Sequence, residues 1–373
     1  MVAAESFVFA KETSATVGRG RTRQFTDVAT AADALRSGAV DVVTGAFGFD
    51  ASGVAALIAP REFTVADAPR TPAADGPVGD PRSGARVVDA SVTDADLHRD
   101  RIRRALHAIA AGRVEKVVLA RTLDARLAEP LHPLDLLRRF PLDARTTGFA
   151  VPLDAAPDRE GHWLVGASPE LLVRREGTRV TCHPFAGSAP RSADPAADAR
   201  ARDRLAASDK DLREHAFVVD AVLDALRPWC ADLTYPEVPD VESTPAVWHL
   251  ATPITGVLAH PEVTALDLAA ALSPTPAVCG TPRTAAAELI ADVEGPRDFY
   301  AGAVGWCDAA GDGEWVVSIR CLELDASGTR VQAWAGGGIV DGSDPDAEVV
   351  ETVAKFRTVL AALGDASLVD RLR

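Results

Sequence analysis

Short apolar runs of strand length alternate along the chain with longer segments in which apolar residues recur at helical spacing. Residues 1–60 carry the runs SFVFA and VDVVTGAFGF on either side of VATAADALRSG, which predicts a strand–helix–strand unit. Residues 61–90 are rich in Pro, Gly, Asp and Ala and predict a surface connection with little regular structure.

Two segments in the middle of the chain predict amphipathic helices. The first, DADLHRDRIRRALHAIAAGR, ends at Gly112. Its predicted apolar face consists of Leu97, Ile102, Leu106 and Ile109. In SADPAADARARDRLAASDKDLREHAFVVDAVLDALRPW, a loop is followed by a long helix that ends at Pro228. The predicted apolar stripe of that helix consists of Leu212, Ala216, Val219, Leu223 and Leu226.

Strands dominate the rest of the chain. VEKVVLARTLDARL predicts one strand, and HWLVGASPELLVRREGTRVTCHPFAG predicts strands joined by a tight turn at residues 176–178. ALDLAAALSPTPAVCGTPRTAAAELIADVEG predicts helix, Pro-rich turn and helix, and GEWVVSIRCLELDASGTRVQAWAGGGIV predicts two strands closed by three glycines. DPDAEVVETVAKFRTVLAAL predicts the last helix. Few elements fit a strict strand–helix–strand alternation, so we expect an α+β fold with large antiparallel sheets in one domain over residues 1–373, with residues 1–95 as its N-terminal part.

Composition narrows the class of protein. A formal net charge of −15 over 373 residues disfavours a nucleic-acid or membrane-surface partner, because both need a basic face. No apolar run is long enough to span a bilayer and the N-terminus lacks a signal-peptide pattern, so we expect a cytoplasmic protein. Five cysteines without a CxxC pair predict reduced, mostly buried thiols. Lysine occurs only at positions 11, 116, 210 and 355, so a lysine within a strand is noteworthy.

Two pairs of acidic residues have the i, i+3 spacing that places both members on one side of a helix: Asp211 with Glu214, and Glu348 with Glu351. If the two pairs face each other, they could hold one hard divalent cation such as Mg²⁺ through oxygen ligands and water. The alternative is a solvated face in an acidic protein, and the spacing leaves both interpretations open.

Two further ionisable residues adjoin apolar strands. Lys116 begins the run KVVLAR, where partial desolvation would make it a usable base; alternatively, it reaches solvent from the end of the strand. Glu170 follows a Ser-Pro turn and opens the run LLV. Burial there would raise the pKa of the carboxyl group and suit it to act as an acid, whereas a strand-edge glutamate in water is the plain alternative.

Possible anion-binding groups occur near the C-terminus. Arg320 lies inside the apolar run VVSIRCL and needs an anionic partner, which a structural salt bridge or a substrate carboxylate would supply. The glycine run at 336–338 would let backbone N–H groups approach an anion, although a turn explains it equally well. His249, in WHLATP, has no clear role from its sequence context, and most isolated histidines are structural.

In chain order, the segments KVVLAR, GASPELL, HPFAGSAPR, KDLREH, WHLATPITG, PTPAVCGTPR, FYAGAVGW, GEWVVSIRCLEL and AGGGIVDGSDPDAEVVET resemble the chorismate-binding enzyme family. That family includes isochorismate, salicylate, anthranilate and aminodeoxychorismate synthases, and the similarity runs from about residue 100 to 362. Rival motifs (GxSxG, P-loop, HExxH, and GxGxxG at a strand–helix junction) do not occur. The resemblance implies one domain with two large facing antiparallel sheets, helices outside and a site in the cleft.

The resemblance also implies a role for each candidate residue. Direct Mg²⁺ ligands would be Glu214 and Glu351, with water-mediated support from Asp211 and Glu348. Lys116 would be the general base that activates water, and Glu170 the general acid. The groups that would hold chorismate are His249, Ala277, Arg320, Gly336, Gly337 and Gly338.

Within the family, a few residues point to isochorismate synthesis. Lys116 implies water as the nucleophile, and the segment Pro274–Ala277 resembles the isochorismate synthase version, since salicylate synthases usually carry threonine where Ala277 stands. Gly337 departs from the common alanine, and we expect no change of reaction from it. The resemblance therefore implies conversion of chorismate to isochorismate, with a salicylate synthase or a non-catalytic chorismate-binding relative as alternatives. The sequence does not determine the oligomeric state, for which a monomer is our expectation.

Overall fold

The computed structural model describes residues 6–67, 85–244 and 247–365. The strands are β1 (Ser6–Ala10), β2 (Ala15–Arg19), β3 (Arg23–Phe25), β4 (Val42–Phe47), β5 (Ala55–Ala59), β6 (Glu62–Ala66), β7 (Val87–Val92), β8 (Lys116–Leu127), β9 (Thr147–Pro152), β10 (Trp163–Ser168), β11 (Leu171–Glu176), β12 (Arg179–His183), β13 (Phe185–Pro190), β14 (Cys230–Thr234), β15 (Asp240–Ser243), β16 (Val247–Ala251), β17 (Ile254–Leu258), β18 (Gly280–Thr281), β19 (Ala303–Asp308), β20 (Gly313–Val317), β21 (Cys321–Leu324) and β22 (Arg330–Val340). The helices are α1 (Val28–Arg36), α2 (Ala95–Ala110), α3 (Pro133–Leu137), α4 (Pro195–Ala206), α5 (Asp209–Leu226), α6 (Ala265–Leu272), α7 (Arg283–Glu294) and α8 (Pro345–Leu363).

The described strands form two large antiparallel sheets and one small one. The ten-stranded sheet has the order β18-β8-β22-β21-β10-β9-β1-β2-β6, with β7 paired to β8. The nine-stranded sheet has the order β14-β17-β12-β11-β20-β19-β4-β5-β3. The predicted α+β fold with two large antiparallel sheets is confirmed, and a three-stranded sheet, β13-β16-β15, adds to it.

The two large sheets share one buried core. Phe7 and Phe149 from the ten-stranded sheet belong to the same apolar cluster as Phe47, Leu57 and Trp315 from the nine-stranded sheet. Burial of such aromatic side chains is a main source of the free energy that holds two sheets together. The N-terminal strands belong to this core, because β1 pairs with β9 and β4 pairs with β19.

Helices cover the outer face of the ten-stranded sheet. Leu137 of α3 and Phe356 of α8 are fully buried, in one cluster with Val165 of β10 and Leu322 of β21. One end of α8 therefore lies against the sheet, and this fixes where the rest of the helix projects.

The predicted apolar faces of two helices are partly wrong. α2 has the predicted bounds, but Leu97 is 48% exposed and His98, Ile102, Ala105 and Ala108 form its buried face. In α5, Ala216 is exposed, whereas Glu214 and His215 are buried beside Val218. The reason in α5 is that a polar site lies against the helix, so apolar spacing does not mark its buried side.

Three further segments differ from expectation. Residues 195–206, predicted as a loop, form α4, because the side chain of Asp194 caps the helix and Pro195 occupies its first turn. The segment predicted as an irregular connection over 61–90 contains β6 and part of β7, and its residues 68–84 lie outside the described residues. The glycine run at 336–338 lies within β22 and does not close it.

Two general expectations can also be compared with the structure. All five cysteines are free thiols, and four of them are buried, as predicted. Across the described ranges, none of the helices combines the length and the apolar character needed to cross a membrane.

Candidate active site

One cavity lies where β8 and β22 meet the small sheet, α5 and α8, and most of the predicted site residues line it. The predicted residues in its lining are Glu170, Glu214, His249, Ala277, Arg320, Gly336, Gly338 and Glu351. Lys116 is fully buried beside the cavity, with its Nζ 3.0 Å from Glu214 Oε1. The sequence prediction that these residues converge is thus met by the geometry, whereas Asp211, Gly337 and Glu348 lie outside the lining.

The glycine run of β22 leaves room for acidic side chains. A Cβ atom at Gly338 would collide with Glu214 Oε1 and would lie 3.1 Å from Lys116 Cε. A Cβ atom at Gly337 would lie 2.9 Å from Glu348 Oε2. The backbone of this stretch pairs with β8 as a regular strand, so the turn considered as an alternative is wrong. Glycine is needed here for space, because buried carboxylates occupy the positions of the missing side chains.

Asp211, Glu214, Glu348 and Glu351 form an acidic cluster, and each of its three glutamates, two of them buried and Glu351 half-buried, is paired with a lysine. Lys116 contacts Glu214 at 3.0 Å, Lys210 contacts Glu348 at 3.0 Å, and Lys355 contacts Glu351 at 2.6 Å. The chain has only four lysines, so three of them serve this one cluster. The fully solvated face considered as an alternative is therefore wrong for the glutamates.

The acidic cluster is only partly neutralised. Burial, and then the neighbouring Glu351 carboxylate, raise the pKa of Glu348 to about 7, although Lys210 opposes this. Burial also raises the pKa of Asp211, whereas for Glu351 burial is outweighed by Lys355 and the pKa is lowered. Glu348 Oε2 is buried and has no hydrogen-bond partner among the described residues. A buried anionic oxygen without a partner is costly, so this set of oxygens is suited to a hard cation.

Within residues 6–67, 85–244 and 247–365, no three metal-ligating side chains already form a ready-made cation site. The ion pairs with Lys116, Lys210 and Lys355 explain this, because each lysine occupies an oxygen that a metal ion would use. The chemistry of the donor set fits Mg²⁺, and loading would require the lysines to share these oxygens or to move away.

Glu170 is placed as the prediction of an acid requires. It precedes β11, is only 3% exposed, and its backbone carbonyl accepts a hydrogen bond from Val317 N at 3.0 Å. Burial raises the pKa of the carboxyl group to about 8, although Lys116 opposes the shift. Glu170 is therefore mostly protonated at neutral pH and can donate a proton into the cavity.

Arg320 is not inside a strand, contrary to the sequence prediction. It lies between β20 and β21, where the chain crosses from the nine-stranded to the ten-stranded sheet, with a φ of 53° that non-glycine residues rarely adopt. Burial lowers the pKa of its guanidinium to about 10, so it remains a cation at neutral pH. Glu351 and Glu170 lie near enough to favour the charge of this guanidinium, but no ion pair within 4 Å joins it to another described residue, so it is available to an anionic ligand.

His249 also faces the cavity and hydrogen-bonds to the backbone of Gly187 through one side of its ring. Burial, and then the charges of Arg320 and Lys355, hold its pKa well below the usual value, so the ring is neutral. Its Nε2 atom is buried and has no hydrogen-bond partner among the described residues. A neutral imidazole with a free nitrogen can bind a hydroxyl or carboxylate group of a ligand.

Several lining residues were not predicted from the sequence. Tyr300 and Trp334 stack with ring centroids 5.4 Å apart and form an aromatic wall. Lys355 lies between the Gly336 carbonyl oxygen at 2.7 Å and Glu351. The rarity of lysine in the chain could also have marked Lys355 and Lys210 as candidate site residues, although it was used only for Lys116.

Comparison with known proteins agrees with this geometry. The sequence profile described as "Chorismate binding enzyme" matches residues 74–364. The chain belongs to the chorismate-binding enzyme family. The family match thus begins earlier than the motifs, which were recognised only from about residue 100.

Relatives within the family are similar over most of their length. A Mycobacterium tuberculosis protein provisionally named isochorismate synthase MenF is 51% identical over 93% of this chain and 93% of that protein. The isochorismate synthase DhbC of Bacillus subtilis is 43% identical over 87% of this chain and 81% of that protein. A Bacillus anthracis crystal structure, provisionally assigned as the 2,3-dihydroxybenzoate-specific isochorismate synthase DhbC, superposes with a TM-score of 0.85 at 37% identity, covering 96% of both chains.

The raised pKa of Glu170 predicts a pH-dependent stability difference between the chain and its Glu170→Gln variant. The folded-state pKa of about 8 exceeds the usual value of 4.5, so the favourable contribution of the neutral carboxyl is complete below about pH 4.5 and is lost as the pH rises to 8. Glutamine stays neutral, so Glu170→Gln should gain stability relative to the parent by at most about 1.4 kcal/mol per pH unit between pH 5 and 8.

Urea unfolding in EDTA at pH 5, 6.5 and 8 measures this difference. Glu176→Gln, at an exposed position of β11, is the matched control and should show a constant difference from the parent. A constant difference for Glu170→Gln as well would contradict the assignment of a protonated Glu170.

Proposed function

We propose that this chain is an isochorismate synthase, which adds water at C2 of chorismate while the C4 hydroxyl leaves. The observation that carries the proposal is a protonated, buried Glu170 in the same cavity as an unpaired Arg320 and next to Lys116. This combination supplies a proton donor, an anion-binding cation and a candidate base around one small ligand. The names of the relatives given above support the same reaction.

Binding of the substrate follows from the groups that have no partner. Chorismate is a dianion. Arg320 can donate two N–H groups to one of its carboxylates without first breaking a salt bridge. His249 can bind a second polar group through its free nitrogen. Tyr300 and Trp334 provide an apolar wall for the ring. Ala277 also lines the cavity, and its small side chain adds no hydroxyl group there.

Proton transfer then needs one base and one acid. Lys116 is the proposed base, which removes a proton from water while the water oxygen bonds to C2. The ring double bonds shift, the C4–O bond breaks, and Glu170 gives its proton to the departing hydroxyl. One water enters and one leaves, so the reaction is an isomerisation. Exchange of protons with solvent restores both groups, and each contributes on the order of 10²- to 10⁴-fold in rate.

Mg²⁺ is the cation that we propose for the acidic cluster. Glu214 and Glu351 would bind it directly, and Asp211 and Glu348 would hold its water ligands. When bound, the ion would neutralise a substrate carboxylate and withdraw electron density from the ring.

Product analysis tests the proposed function. Purified protein incubated with chorismate and Mg²⁺ should give isochorismate that stops at an equilibrium mixture, as resolved by chromatography. Salicylate with pyruvate would instead indicate a salicylate synthase, and chorismate that is bound but unchanged would indicate a non-catalytic relative.

The role of Lys116 predicts that Lys116→Met loses turnover by about 10²- to 10⁴-fold, because the base is removed. Lys11→Met is the matched control, since Lys11 is the remaining lysine. Its Nζ atom lies 2.6 Å from Glu314 Oε1, and neither residue lines the cavity. Circular dichroism checks that both variants fold. Turnover of Lys116→Met at the rate of the Lys11→Met control would refute the assignment of the base.

The acidic cluster predicts that Glu214→Ala loses Mg²⁺ binding and activity together, because a direct ligand is removed. Calorimetric titration with Mg²⁺ measures binding, and the product assay with Mg²⁺ or EDTA measures activity. Exposed Glu176→Gln should keep both. Magnesium-stimulated turnover retained in Glu214→Ala, or parental turnover in EDTA, would show that the ligand assignment is wrong.

A further inference from the structure

The edge of β8 that faces away from β22 is covered only in pieces. β22 pairs with β8 continuously from Lys116 to Arg126. On the other edge, β18 pairs only with residues 116–117, and β7 pairs only with residues 123–127. Between them, at Val118 and Ala120, the backbone groups on this edge require partners that no strand supplies.

Two side chains fill most of this gap. The Ala120 N–H donates to Glu294 Oε1 at 2.6 Å, and Arg297 Nη2 donates to the Val118 carbonyl at 2.8 Å. The Val118 N–H completes the set by donating to the Cys279 carbonyl at 2.7 Å. The Glu294–Arg297 pair therefore acts as a substitute for a strand, built from side chains at the end of α7 and just beyond it.

The same guanidinium also holds the segment that forms a wall of the cavity. Arg297 Nη1 donates to the Val278 carbonyl at 2.7 Å, and Nε and Nη2 donate to the two oxygens of Glu294 at 2.9 Å. Val278 and its neighbour Ala277 line the cavity. The guanidinium carbon also lies 5.7 Å from the centroid of the Tyr300 ring, which forms the aromatic wall. One rigid, 5% exposed side chain thus contacts three parts of the site.

The position of the pair along β8 matches the position of the glycines on the far side. Val118 is paired with Gly338, and Ala120 is paired with Gly336. The Glu294–Arg297 pair therefore bonds β8 at the residues that are paired with the glycine run of β22. The first of them, Val118, is two residues beyond Lys116.

We propose that the Glu294–Arg297 pair positions the catalytic groups, by fixing the strand of the base Lys116 to the segment of Ala277 and to Tyr300. This inference rests on the proposed isochorismate synthase function. A buried ion pair is weak support for stability alone, because apolar residues of similar volume often serve as well. Only a planar, multiply bonded guanidinium can hold the Val118 and Val278 carbonyls and both Glu294 oxygens at once.

Arg297→Lys is the decisive variant, because it keeps the charge and loses the planar set of donors. If the pair positions the site, we expect kcat to fall by about 10- to 100-fold with KM changed by less than about threefold, since a misplacement near 1 Å costs about that much in rate. The assay is run well below the melting temperature of each variant. Mg²⁺ affinity should stay unchanged, because the proposed ligands come from α5 and α8.

Arg175→Lys is the matched control. Arg175 is also 5% exposed and also bridges carbonyl groups, those of Gly177, Pro261 and Val263 at 2.8–3.0 Å. None of these three residues lines the cavity, whereas Val118 and Val278, which Arg297 bonds, both do. Arg175→Lys should lose melting temperature to a similar extent and keep the parental kcat. Hydrogen exchange of residues 275–279 should rise in Arg297→Lys and stay unchanged in Arg175→Lys. Of these two arginines, Arg297 alone bonds to that segment.

Glu294→Gln provides a second variant if Arg297→Lys does not fold, because it keeps the shape of the side chain and an acceptor for Ala120 N. It should show the same fall in kcat to a smaller extent. If the parent chain is active and the folded Arg297 or Glu294 variant has the same kcat, the positioning proposal is overturned and the proposed function is not. A parent chain that forms no product would overturn the proposed function, and the positioning proposal with it.

Discussion

The site depends on one constraint: buried carboxylates lie close against the backbone of the glycine run in β22. Glu214 of α5 and Glu348 of α8 occupy the space that side chains at Gly338 and Gly337 would fill. Both helices can therefore bring their acidic groups against the backbone of β22. Phe356 packs α8 into the outer apolar core, so apolar packing on that side of the helix helps to determine where these acidic groups lie.

Gathering carboxylates in this way has an electrostatic cost that the lysines offset only in part. Each lysine neutralises one carboxylate, yet burial and mutual repulsion still raise the pKa of Glu348 to about 7. A cluster of carboxylates that is neutralised only in part is suited to a further cation, which is the basis of the Mg²⁺ proposal. The same arrangement places Lys116 between the acidic cluster and Glu170, where it opposes the raised pKa of the acid without reversing it.

Local patterns in the sequence, together with the family resemblance, predicted much of the fold and eight of the residues that line the cavity. The i, i+3 acidic pairs and the strands of Lys116 and Glu170 needed only helical or strand spacing. The buried face of α5 was not predictable in this way, because Glu214 is buried by ion pairing and not by apolar contact. Arg320 was placed inside a strand because its neighbours are apolar, whereas the break there follows from the crossing between two sheets.

The contacts by which Glu294 and Arg297 satisfy the open edge of β8 could not be predicted from the sequence either. Glu294 and Arg297 are an ordinary acidic and basic residue near the end of a helix, and their spacing suggests only a local ion pair. Their role depends on the fact that β18 is two residues long and leaves Val118 and Ala120 without a strand partner. Such a gap exists only once the register of β8 against β18 and β7 is known.

The strongly acidic composition is compatible with an anionic substrate because charge is distributed unevenly at the cavity. Glu170 is protonated there, the glutamates on α5 and α8 are paired with lysines, and Arg320 has no anionic partner. The net charge of −15 is a property of the whole chain, whereas the field that a ligand meets is set by groups within about a Debye length of 8–10 Å. Burial of Arg320 strengthens its attraction for a carboxylate, because water does not screen it there. The proposed dianionic substrate would therefore meet a buried cation in this cavity, which the net charge of the whole chain does not reveal.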